Sequence, residues 1–268
     1  MIRSTFLRSA AVLTLLVSSF SSAEAQGRVF VNNDEWTLDQ SGISQAGAGN
    51  VTQFTRNLAS WLTGGTSGSV LIASGNFGFP TSAIGNDLST GGYTFSTTNN
   101  NSGASLAVFT GYSAVFVDAS TIAASSNAQL QADLQSYVLG GGSVFVNLGT
   151  GVMSSANEAA AFNTFLGHFG IQAAASYNGI GGVHNTSTWS SAAPYGAGLF
   201  GGVSQLYSNN GNSLSLGGPN GAGYTAQIFG DGLYAASARA SVVPEPSTVT
   251  LLVVGLAAVG LAARRRRA

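Results

Sequence analysis

The chain has 268 residues, of which 37 are Gly, about twice the usual share, and only 7% are charged. With no Cys there is no disulfide framework, thiolate nucleophile, iron–sulfur cluster or Cys-bound zinc, and because all nine basic residues are Arg, every lysine-dependent chemistry is excluded as well. Six of those Arg stand at the two ends, so the middle carries Arg28, Arg56 and Arg239 against Asp34, Glu35, Asp39, Asp87, Asp118, Asp133, Glu158 and Asp231, a balance of about −5 that excludes nucleic acid held by counterion release.

Residues 1–25 run from Arg3 and Arg8 through an apolar stretch, Ala10 to Val17, to a small-residue exit at Ala23-Glu24-Ala25. Basic flank, short apolar core and A-x-A site in that order predict a secretory signal peptide, taken by Sec-type export machinery and cut so that the mature chain begins at Gln26. Residues 26–242 then form one exported domain. Arg28 to Asn32 reads as a short apolar strand. After a loop, Asn50 is expected to cap a helix with Val51, Phe54, Leu58 and Trp61 at helical spacing, ended by Gly64-Gly65. Ser69 to Ala73 is a second, uninterrupted strand, and Tyr93 to Ser96 a weaker third.

Ala104 to Phe109 reads as a short helix, and Ala114 to Asp118 as a buried strand with an acid at its end. A helix capped by Asn127 carries Leu130, Leu134 and Val138 and stops at Gly140-Gly141-Gly142. Ser143 to Asn147 is another apolar strand. Ser155-Ala156-Asn157-Glu158 has the S-x-x-E form of a capping box, opening a helix with Phe162, Phe165, Leu166 and Phe169 on one face. Strands buried on both faces and alternating with helices require a parallel sheet between helical layers, so the expectation is α/β with a flavodoxin-like arrangement. Beyond Gly170, glycine pairs separate short segments such as Ser213 to Leu216 and Tyr224 to Phe229, read as antiparallel strands and long loops docked on the main sheet.

At the C-terminus Val243-Pro244-Glu245-Pro246-Ser247 precedes an apolar segment, 248–263, closed by Arg264, Arg265, Arg266 and Arg267. Sixteen residues at 1.5 Å each reach about 24 Å, short of a ~30 Å hydrocarbon core, which predicts a marginal transmembrane helix, a transient anchor. The Arg cluster places the tail in the cytoplasm and the domain outside.

This tail of residues 243–268, Pro-Glu-Pro followed by a minimal span and an Arg cluster, closely resembles the PEP-CTERM sorting signal. The resemblance implies an exopolysaccharide-producing Gram-negative bacterium in which an exosortase-type membrane protease recognises Pro244, Glu245 and Pro246 and releases or transfers the protein. The stretch from Tyr112 to Ile171, including Tyr112 to Val117, Gly140 to Gly149 and Phe165 to Ile171, resembles the class I glutamine amidotransferase-like superfamily. Its enzymes carry a Cys on the turn after the glycine-led strand. Here that place falls at Asn147 or a neighbour, and an amide cannot attack as a thiolate does, so amidotransferase activity is excluded.

Ligands of an open parallel sheet bind beyond the C-terminal strand ends, where Asp34, Glu35, Asn76, Asp118 and Asn147 would gather. Such carboxylates can hold a hard cation or accept hydrogen bonds from sugar hydroxyls, although strand ends are also simply where chain meets water. Of the two histidines, His168 ends a Phe-rich helix and reads as packing, whereas His184 lies in a glycine loop and is the better catalytic candidate. No H-E-x-x-H, G-x-S-x-G or complete G-x-G-x-x-G pattern occurs. Trp36, Trp61, Trp189, Tyr195 and Tyr207 are candidates for stacking on sugar rings, with Trp61 assigned to the core. No metal, cofactor or catalytic residue is expected. The sequence therefore points to a non-enzymatic surface or matrix protein linked to exopolysaccharide or biofilm. The alternatives are an extracellular hydrolase or a carbohydrate-binding module using Asp34, Glu35, Asp118, His184 and the exposed aromatics.

Overall fold

The computed structural model describes residues 27–74, 82–98, 104–119, 127–219, 221 and 223–239. The signal peptide, the sorting motif, the apolar segment 248–263 and the Arg cluster lie outside them. Among the described residues no helix is long and apolar enough to cross a membrane.

Three strands share one pattern, two Val flanking a Phe and then an amide or acid: β1 (Arg28–Asn32), β4 (Ala114–Asp118) and β5 (Ser143–Asn147). They are adjacent and parallel, β5 in the middle, in a register that aligns Phe30, Phe145 and Phe116 and then Asn32, Asn147 and Asp118. Strand alternation sends the valines to one face and the phenylalanines to the other. The Phe face packs Phe30 on Phe145 at 5.9 Å between ring centroids and Phe145 on Phe116 at 4.8 Å.

The sheet continues through β2 (Gly68–Ala73) to β3 (Tyr93–Thr98) on one side. On the other, β11 (Tyr234–Arg239) pairs antiparallel with β1 and with the edge strand β10 (Tyr224–Phe229). The seven-stranded order is β10-β11-β1-β5-β4-β2-β3, mostly parallel as expected. The run β3-β2-β4-β5 has the neighbour pattern of the first four flavodoxin strands, but the fifth place is taken by β1, the first strand of the chain rather than a later one.

Helices cover both faces. On the Phe face lie α1 (Gln40–Ala46), α2 (Ala48–Thr63), α3 (Ser82–Thr90) and α8 (Gly196–Phe200), burying Phe54, Leu58, Ile84, Leu88, Leu199 and Phe200. On the Val face lie α4 (Leu106–Phe109), α5 (Asn127–Leu139) and α6 (Ser155–His168), burying Leu130, Leu134, Phe162 and Phe165. Two small antiparallel pairs complete the described residues. One joins β6 (Ile171–Tyr177) to β9 (Asn212–Leu216); the other joins β7 (Gly182–Asn185), which precedes α7 (Ser187–Ser190), to β8 (Gln205–Ser208).

Three local expectations are corrected. Asn50 does not cap α2; Gly47 does, with its φ of 88°, and Asn50 sits in the first turn. There its Nδ2 donates to Ala46 O at 2.7 Å and its Oδ1 accepts from Ser204 N at 2.9 Å, tying α2 to the segment before β8. The segment after β1 is not only loop. Asp34 caps a short 3-10 turn, Glu35–Thr37, and Asp39 caps α1 by accepting from Ser41 N and Gly42 N. Finally, α6 is capped by Ser154, one residue earlier than the capping-box reading, which frees Glu158 for a different task.

Candidate functional site at the C-terminal strand edge

The register that aligns the phenylalanines also fixes a polar row one residue further along, at the ends of β4, β5 and β1. Asp118, Asn147 and Asn32 are each fully buried. Asn32 Nδ2 donates to Asn147 Oδ1 at 2.9 Å and to Asp34 O at 2.6 Å, and Asn32 Oδ1 accepts from Thr37 Oγ1. Asp118 accepts from the Ser74 hydroxyl at the end of β2. Among the described residues Asn147 Nδ2 has no hydrogen-bond partner although its residue is wholly enclosed, a buried donor of the kind that costs a folded chain about 1–3 kcal/mol.

Asp34, the second residue beyond β1, is 1% exposed. Its carboxylate accepts from Trp36 N at 3.4 Å and from Asn209 N, so it holds both the 3-10 turn and the loop after β8. Burial raises its pKa to about 6, opposed by those two backbone donors and reinforced by the nearby charges of Asp39 and Glu158. Glu158, the residue read as a capping-box partner, turns inward from the first turn of α6. It accepts from Gly149 N at 2.9 Å, Thr150 N at 3.0 Å and Thr150 Oγ1 at 2.5 Å. It thus binds the loop after β5, and burial, with a smaller contribution from Asp118, raises its pKa. Gly149 lies in that loop at φ 66°, and a Cβ there would meet Asn33 O at 2.5 Å, so only glycine lets the β5 loop approach the β1 loop.

Four acids thus converge on one edge: Asp34, Glu35 and Asp118, as the sequence predicts, and Glu158, which it assigns elsewhere. Tyr177 is the member that sequence reasoning misses. It ends β6, is 36% exposed, and its pKa is raised by burial first and then by Glu158, Glu35 and Asp34. Asn76 lies outside the described residues. His184 does not join the acids: it sits half-buried on β7 opposite Leu206, its Nε2 has no hydrogen-bond partner, and burial alone lowers its pKa. His168 faces Gln135 and Phe169 near the end of α6.

The tryptophans are not displayed together. Trp61 packs on Phe30 and Tyr195 under the Arg28 guanidinium, as its core assignment requires, and Trp189 packs on Phe200 and Tyr234. Trp36 is half-buried beside Asp34. Among the described residues no group of three or more His, Cys, Asp or Glu is arranged to hold a metal ion. A repeated Val-Phe-Val-Asn/Asp pattern at 29–32, 115–118 and 144–147 is the signal that marks the polar row in the sequence.

The fold defines an α/β protein whose mostly parallel sheet collects buried acids and amides at one edge. Residues 242–267 match the PEP-CTERM protein-sorting motif, so the chain carries a signal for export and exosortase sorting. No curated protein and no solved structure matches the chain.

Proposed function

We propose that this is an exosortase-sorted protein of the cell surface or extracellular matrix whose α/β domain is non-enzymatic and contributes to adhesion or to association with exopolysaccharide in a biofilm. The match of residues 242–267 to the sorting motif carries this reading. In it, Sec-type machinery exports the chain, segment 248–263 holds it briefly in the membrane, and the protease acts at Pro244, Glu245 and Pro246. Its non-enzymatic part is supported by the occupation of the acids. Asp34 and Glu158 are engaged by backbone amides of three loops, and among the described residues no acid stands beside His184 to make it a base.

The test is to delete residues 243–268 in the native host and follow the domain by immunoblot of membrane, surface and medium fractions. The truncated chain is expected in the medium, unprocessed. Unchanged localisation contradicts the reading.

A carbohydrate-binding role for the same edge is favoured by one observation: the Tyr177 ring, at the end of β6, is partly exposed there and offers a face on which a sugar ring can stack. Titration of the domain with the host's exopolysaccharide, followed by tyrosine and tryptophan fluorescence, is expected to lose most of its response in Tyr177→Ala. An undiminished response in that variant removes this second reading.

A further inference from the structure

The ends of the described domain and its charges are both distributed along the strand axis, and they coincide. Arg28 opens β1 opposite Ala238 near the end of β11, so the domain enters and leaves at one edge of the sheet, where the parallel strands begin. Two of its three Arg, Arg28 and Arg239, stand at that edge. Six of its eight acids stand at or beside the other. Asp34, Glu35 and Asp39 follow β1; Asp118 ends β4; Glu158 lies within the field of Asp118 and Asp34; Asp231 occupies the turn into β11, whose first residue, Tyr234, faces Asn32. The remaining acids, Asp87 and Asp133, lie within α3 and α5, Asp87 beside Arg56.

Only residues 240–247 separate Arg239 from the apolar segment that begins at Thr248. Eight residues reach at most about 28 Å when fully extended. Along the strand axis β11 alone covers about 17 Å from Arg239 to Tyr234, and the acid-bearing loops lie beyond it. Turning the acid-rich edge onto the bilayer would carry Arg239 to the far side and require the tether to run almost fully extended along the domain, whereas the opposite orientation needs no extension. The headgroup charge works in the same direction: an anionic surface attracts the Arg edge and repels the acids, and screening within about 8 Å confines both effects to whichever edge is close.

We propose that the membrane-held precursor stands on the edge where β1 begins and β11 ends, the edge that carries Arg28 and Arg239, and presents the edge of Asp34, Glu158 and Tyr177 away from the bilayer. This rests on the reading of 248–263 as a membrane span. It makes the outward edge accessible to extracellular partners before the tail is cut, and requires the processing enzyme to work against the opposite edge.

The absence of Cys permits clean single-site labelling of the full chain. Ser67→Cys places a fluorophore in the exposed turn just before β2, on the tail-proximal edge, and Val152→Cys places one in the exposed loop after β5, on the far edge. Each is reconstituted in phosphatidylcholine–phosphatidylglycerol vesicles carrying a headgroup-linked nitroxide quencher, with flotation measured on the same sample. The proposal expects flotation and several-fold stronger quenching at position 67 than at 152. Thr66→Cys and Asn210→Cys form a second pair with the same expected contrast, should either first variant misfold. A chain that floats but is quenched equally at both edges, or more at the far one, overturns the orientation alone. A full chain that fails to float overturns the membrane-span reading and the orientation with it.

Discussion

Glu158 shows how much one side chain decides. Buried completely, it spends its charge on two backbone amides and a hydroxyl of the β5 loop, and bonds to a charged group are worth roughly 1.5–3 kcal/mol each before the cost of desolvation. Glu158→Ala leaves those donors buried and unpaired, and is expected to lower stability by about 3 kcal/mol in urea denaturation of the mature domain. A loss below about 1 kcal/mol contradicts the role assigned to it. The same edge sets a pH dependence. Asp34 is held at about 6 rather than near 4, so between those values the folded chain binds more protons than the unfolded chain. Stability therefore falls as pH rises from about 4 to about 6 and levels off above. Asp39 and Glu158, also raised, add in the same direction. Denaturation midpoints at pH 4.5 and 7 are expected to differ in that sense, and Asp34→Asn to flatten the difference. A midpoint that climbs with pH across this window refutes the assignment.

Residue chemistry also explains why part of the site was legible and part was not. Asp34, Glu35, Asp118 and Asn147 were readable because each ends or follows an apolar strand, and a parallel sheet sends all such ends to one edge. Glu158 was not, because two serines stand side by side. With the cap at Ser154 rather than Ser155, the fourth residue of the pattern is Asn157, and Glu158 is turned toward the core instead of back to the cap. Tyr177 was hidden because it reaches the acids through a β6–β9 pairing with an irregular register, which no local pattern announces.

Among the elements, the aromatic face carries the packing. Phe200, on the five-residue α8, stacks on Phe54 at 5.5 Å and meets Phe229, Trp189 and Tyr234 at 5.0, 5.4 and 5.7 Å. A helix this short has no stability of its own and is held by this contact and by Asn57, whose Nδ2 donates to Leu199 O and Gly201 O. Phe200→Ala is expected to cost about 3–5 kcal/mol and lower the melting temperature by roughly 10 °C in calorimetry, with Asn57→Ala a smaller loss. Equal, minor effects would show that α8 is peripheral. The strands with Val-Phe-Val cores were evident because they are buried on both faces and uninterrupted. β11 was not evident, since Tyr-Ala-Ala-Ser-Ala-Arg has neither β-branched residues nor alternation. Its conformation is imposed by its neighbours: with β1 on one side and β10 on the other, small side chains fit and the backbone ladder does the rest. α1 was equally silent, a polar heptapeptide made helical by the Asp39 cap and by packing on β8.

At the scale of the molecule, β11 closes the sheet against β1, so the last described strand is required by the first. The sorting motif begins a few residues later, at 242. The last described strand thus ends at Arg239, before the matched motif begins. The sorting motif was legible in the sequence because such signals are linear and need no tertiary context, whereas the acid-rich edge exists only once distant strands are in register. On the proposed function, the tail is a processing signal cut from an exported domain. The most direct test is intact-mass and terminal-peptide mass spectrometry of the protein recovered from the surface and medium of its native host. A mature chain that begins at Gln26 and ends within or near Pro244-Glu245-Pro246, without the four Arg, is the predicted result. Surface protein that still carries Arg264 to Arg267, in cells expressing the exosortase, would contradict it.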